Sequence, residues 1–180
     1  MHPVLKSSLE PLAATIETLT VEEAQVAPLP GQGRWSAQQV IEHLILTYKL
    51  TSETVGRHVK NGQTAKKGRS PLMSLLRLQT IGLGRMPNGI PAIRAVRPER
   101  VTPMDGQALR ERFLAAAEEM DGTLSAARKK FGIQVCGEHP FHGGLRVDEW
   151  RRYHAVHARH HQKQLDGAIR YARSGKPSGG

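Results

Sequence analysis

Cysteine is nearly absent from this chain: Cys136 stands alone among 180 residues. An internal disulfide is therefore impossible and a cysteine-based zinc knuckle is excluded, so any metal site must be built from histidine or carboxylate. Aromatic residues are also few, with two Trp, three Tyr and three Phe, which leaves little surface on which nucleic-acid bases could stack. No stretch approaches the roughly 18 uninterrupted apolar residues that a membrane span needs. The opening MHPVLKSSLEPL has neither the long apolar run nor the small-residue cleavage site of a secretory signal. The expected compartment is the cytoplasm, and no membrane partner is expected.

Acidic residues are in deficit: 26 Lys and Arg stand against 16 Asp and Glu, for a formal charge of +10 and an isoelectric point near 10.3. Such an excess favours anionic partners. The basic residues are scattered, with local clusters at Lys66–Lys67–Arg69 and Arg128–Lys129–Lys130. No nucleic-acid motif accompanies them, so a nucleic-acid partner is not expected. A basic DNA-associated protein is a third reading resting on charge, and it predicts steeply salt-dependent duplex binding.

What the chain does have is helical periodicity. Leu5, Leu9, Leu12, Ile16 and Leu19 alternate steps of four and three, which predicts a first helix over 4–19. PLPGQGR (28–34) breaks it. Ser36 and Gln39 form a capping box, with Trp35 and Val40 in the positions of a hydrophobic staple, so a second helix should run from WSAQQ to about 58–61. A polar loop (61–70) and a short proline-opened helix (71–83) follow. Residues 84–103 hold four prolines and two glycines and read as an irregular crossing.

Asp105 can cap the next helix, in which Leu109, Phe113, Ala116, Met120, Leu124, Ala127 and Phe131 recur every three or four residues. The last helix is expected from about Val147 to Ser174. No convincing alternating strand and no internal repeat is present. The chain reads as all-α: a four-helix bundle with an additional short helix and a long crossover connection, in one domain over 1–174 with a flexible tail at 175–180.

Four of the nine histidines crowd into EWRRYHAVHARHHQKQL (149–165). At about 100° per residue, His157 and His161 lie about 40° apart on one face, with Trp150, Gln164, Leu165 and Ala168. Arg152, Arg159, Lys163 and Arg170 form a roughly opposite stripe that should face water. His154 and His160 flank the pair as weaker candidates. On the second helix, His43 shares the inward stripe of Val40, Thr47 and Leu50. A buried imidazole needs a hydrogen bond or a metal, so three inward histidines on two helices point to one ion. Spacing alone leaves open the alternative that they are core histidines bonded to one another or to backbone.

The ordered set WSAQQVIEHL, HPFHGGLRVDEW and HAVHARHHQKQL resembles the DinB/YfiT-like superfamily of bacterial metalloproteins over about residues 30–170. The resemblance implies an up-down-down-up bundle with a divalent transition metal, zinc or nickel, held by His43, His157 and His161. It implies a metal-dependent enzyme that activates a thiol or water, a thiol S-transferase or hydrolase, with a low-molecular-weight thiol as possible cofactor and a small molecule as substrate. The resemblance also suggests a homodimer, although no interface is legible in the sequence. The alternative is a non-catalytic, metal-stabilised bundle acting as a stress-related binding or scaffold protein.

Gln164 lies near the HxxxH face, where it can hydrogen-bond a ligand histidine or serve packing alone. His139 and His142 can line the mouth of a site or shape the turn into the last helix, and the structural role is the expectation for His139. Arg146 replaces the Ser or Thr cap of relatives, so that helix start should be less well capped. Glu42 should point along the bundle wall, and Cys136 should be inert. Arg94 and Arg97 are expected to offer cations to an acidic cosubstrate.

Overall fold

Helix caps written into the sequence set where the long helices begin. In the computed structural model, which describes residues 1–28, 34–66, 68, 70–99 and 101–174, α1 spans Pro3–Glu17 and buries Leu5, Leu9, Leu12 and Ile16. Helix α2, Val21–Gln25, is a single capped turn absent from the sequence expectation, held by a Thr20–Glu23 capping box. Helix α3, Ala37–Asn61, opens on the expected Ser36–Gln39 box and stops at Gly62, whose φ of +68° suits glycine. Helix α4, Pro71–Arg77, follows the Ser70 cap and continues as a π-helical turn, Leu78–Gly82. The crossing after it contains one 3₁₀ turn, Arg94–Val96.

Helix α5, Gly106–Phe131, starts as expected on Asp105, whose carboxylate accepts from Ala108 N. Helix α6, Val147–Ser174, has the expected bounds. Its start has only half of a capping box: the Glu149 carboxylate accepts from Arg146 N at 2.9 Å, but Arg146 has no side-chain oxygen to accept from the N3 amide as a Ser or Thr would. Between α5 and α6 the expected loop is an antiparallel hairpin, β1 (Val135–His139) with β2 (Gly143–Arg146). The expectation of no strand is therefore corrected. Residues 29–33, within the expected break at 28–34, Lys67 and Arg69 of one basic cluster, Arg100, and residues 175–180, for which a flexible tail was expected, lie outside the described residues.

Contacts between side chains give the helix directions. Glu42 meets Arg112, and Lys130 Nζ donates to Val59 O, so α3 and α5 run parallel, as their long crossover permits. Arg159 reaches Ser8 and Arg173 reaches Thr18, so α1 and α6 are also parallel. Asp121–Arg151 and Arg128–Asp148 make α5 and α6 antiparallel. Gly106 lets the start of α5 abut the end of α1: a Cβ there would lie 2.3 Å from Ile16 O. The shared core includes Leu12, Ile41, Tyr48, Phe113, Met120 and Leu124. No helix among the described residues is long and apolar enough to cross a membrane.

Candidate metal centre

Antiparallel α3 and α6 bring His43, His157 and His161 together, each at most 6% exposed. Their candidate ligand atoms all lie within 4.8 Å of one another. His157 Nε2 is 3.3 Å from His43 Nε2 and 2.9 Å from His161 Nε2. The flanking groups decide where the protons sit. Val96 O, from the 3₁₀ turn, lies 2.7 Å from His43 Nδ1, and a carbonyl only accepts, so Nδ1 carries the hydrogen and Nε2 a lone pair. Gln164 Oε1 takes the His161 Nδ1 hydrogen at 2.8 Å, while its amide nitrogen donates to His160 Nε2 at 3.3 Å.

Two of the three converging nitrogens therefore present lone pairs. A hydrogen on His157 Nε2 could satisfy only one of them, leaving the other unmatched in a buried place. A cation accepts all three, so the donor set fits a metal ion and fits a closed hydrogen-bond triad poorly. Among the described residues His157 Nδ1 has no hydrogen-bond partner. Electrostatics agree with lone-pair donors. Burial first, then the neighbouring imidazoles, hold His157 well below the ordinary histidine range and bring His161 to about 3. Burial also lowers His43, against the raising effect of its bond to Val96. Neutral imidazoles are what metal ligation requires.

The trio forms part of the wall of a cavity of about 840 Å³. Trp35 packs against His43 at 4.8 Å between ring centroids. A second set of rings continues the wall: His139 and His142 stack at 4.4 Å, and Tyr153 contacts both and stacks on His157 at 5.3 Å. His139 Nδ1 accepts from Phe141 N at 3.1 Å, the turn-shaping role expected, yet the ring lines the cavity as well. Burial brings His142 to about 4. The role of Tyr153 was not anticipated; its place four residues before His157, on the same helix face, was the available signal.

His154 is fully buried and engaged elsewhere. Thr51 Oγ1 gives its hydrogen to Thr47 O, so His154 Nε2 donates to Thr51 Oγ1 at 3.1 Å. Glu42 pairs with Arg112, along the wall as expected. Burial pushes the Cys136 thiol up to about 12, which keeps it protonated and unreactive. Arg94 and Arg97 do not meet the expectation placed on them. They line a separate hollow with Glu42 and Leu46, while Ala95 and Val96 between them reach the histidine cavity. The cations on the histidine cavity are Arg34, Lys163 and Arg170.

The profile of the DinB superfamily matches residues 5–165. Neither the curated proteins nor the solved structures contain a match. The matched span holds all three converging histidines, and it covers most of the 180 residues. The chain belongs to the DinB superfamily.

Proposed function

We propose that the protein is a divalent-metal-dependent enzyme in which His43, His157 and His161 are the ligands, and that its chemistry is thiol S-transfer or hydrolysis on a small-molecule substrate. One observation carries this reading: three Nε2 atoms converge at the wall of a large cavity, two of them with lone pairs fixed by Val96 O and Gln164. A divalent metal bound there, proposed as zinc or nickel among the zinc, nickel, copper and iron that imidazole suits, would supply a Lewis acid that lowers the pKa of a thiol or water. The chain's own residues hold the stage for it. Val96 O and Gln164 keep two imidazoles in the ligating tautomer, and Trp35 covers His43 against solvent. Neutral imidazoles leave a dication's charge uncompensated, and on the cavity wall Arg34, Lys163 and Arg170 outnumber Glu138; both favour an anionic ligand.

The helix directions support reading the four long helices as the superfamily's up-down-down-up bundle, in one domain over residues 1–174. The cavity favours catalysis over a purely structural metal, because a closed structural site has no open coordination position. Cobalt(II) substitution tests the point. Addition of a small thiol should change the visible absorption bands of the cobalt protein. Bound cobalt with bands indifferent to thiols and small anions would establish the structural alternative.

A further inference from the structure

The positive charge of the chain is not evenly distributed. Residues 54–98 contain nine Lys and Arg and no Asp or Glu, while the remainder of the chain holds 17 basic and 16 acidic residues. One 45-residue stretch thus carries +9 of the net +10. The same stretch holds every exposed leucine among the described residues: Leu72, Leu75, Leu78 and Leu83, each 58–66% exposed. Leucines 72, 75 and 78 fall within an arc of about 120° on α4 and the turn that continues it.

The opposite side of this element is what seats it on the protein. Arg77 donates to Gly144 O and pairs with Glu149, and Thr80 and Ile81 are buried. The leucine ridge therefore points away from the core. Basic side chains stand around it. Lys66 and Arg85 are exposed at either chain end of the element. Arg152 donates to Gly82 O, and the Arg159 guanidinium lies 3.8 Å from where a Gly84 Cβ would stand. Two carboxylates lie by this surface and both are engaged: Glu149 by Arg77 and Arg146, and Glu138 by His58 and the backbone N–H of Lys66.

We infer that the α4 ridge, with its surrounding cations, is a docking surface for an anionic lipid bilayer. Leucines rimmed by cations match acyl chains beneath anionic headgroups, and this surface uses both features at once. A nucleic acid would engage the cations and leave the leucines in water. A second copy on a two-fold axis would cover the leucines but bring two such basic surfaces together. The expectation of no membrane partner rested on the length of apolar runs, which bears on spanning and not on surface docking.

The test is co-sedimentation of the full chain with vesicles of phosphatidylcholine and phosphatidylglycerol (3:1) and of phosphatidylcholine alone, beside sedimentation equilibrium. Binding to the anionic vesicles is expected, weakened by about fivefold in each of Lys66→Gln and Arg85→Gln, which remove one positive charge apiece. Leu72→Ser/Leu75→Ser/Leu78→Ser should lose about a hundredfold in partition while keeping its circular dichroism. Absence of anionic-vesicle binding overturns the inference. So does equal binding to phosphatidylcholine alone, or binding that the leucine variant retains. A leucine-dependent dimer that ignores vesicles would instead assign the ridge to a second copy.

Discussion

Replacing Gln164 isolates the contribution of one hydrogen bond to metal affinity. Its Oε1 accepts the His161 Nδ1 hydrogen at 2.8 Å, fixing the ring with Nε2 toward His43 and His157. The residue is exposed, so Gln164→Ala should change the stability of the metal-free protein by no more than about 0.5 kcal/mol. Loss of a hydrogen bond that orients a ligand histidine weakens metal binding by about 10- to 100-fold, or about 1.4–2.7 kcal/mol. Gln164→Glu replaces the amide oxygen with a carboxylate, which raises the basicity of the ligand and should tighten binding. Competition against a chromophoric chelator for zinc measures all three proteins on one scale. Wild-type affinity in Gln164→Ala, or an apo-protein destabilised as much as metal binding is weakened, would refute the reasoning and leave Gln164 a packing role.

Three further outcomes follow from buried polar groups. Burial holds His154 at about 3 and His142 at about 4, below the ordinary value near 6.5 of the unfolded chain. The unfolded state then binds more protons on acidification, so this stability is fully present above about pH 6.5 and is lost as pH falls toward 3. At pH 4 the loss is about 3 kcal/mol for each residue, and thermal unfolding in chelator from pH 4 to 7 should show it; a flat profile would contradict it. The Tyr48 hydroxyl is buried without a partner among the described residues, so Tyr48→Phe should be neutral or stabilising in denaturant titration. Asp121 pairs with buried Arg151 at 2.8 Å and accepts from His2 N, so Asp121→Ala should cost about 3–5 kcal/mol in the same assay by stranding the guanidinium.

The sequence expectations succeeded where a local rule governs and failed where distant contacts do. Ser36–Gln39 and Asp105 mark helix starts by side chains that reach only three residues, and α3 and α5 begin there. Helix α2 was missed because five residues show no periodicity, although Thr20 and Glu23 carry a capping box of the same kind. The hairpin was illegible for a different reason. Its strands, VCGEH and GGLR, have no alternation of apolar and polar residues, since a buried hairpin is specified by what packs on it. Gly144 shows the cause: a Cβ there would lie 2.2 Å from Lys66 O, far away in the chain.

The candidate site divides in the same way. His157 and His161 follow from helix geometry, and His43 from the inward stripe of α3. Val96 O, which sets the His43 tautomer, is a backbone atom and has no residue signature. Arg94 and Arg97 were assigned to the site by charge alone, but the turn between them faces His43 with the Val96 carbonyl, and the two arginines line a separate hollow. Composition locates charge in the chain, while only the fold locates it in space.

The central claim is that the three imidazoles are ligands, and metal content tests it most directly. Inductively coupled plasma mass spectrometry of untagged protein, after exposure to zinc or nickel and desalting, should find about one ion per chain. The ion should be lost in His43→Ala and in His157→Ala/His161→Ala, with helical circular dichroism retained in both. A wild-type protein that takes up neither metal, or a His43→Ala variant that holds it as tightly as the wild type, would contradict the account.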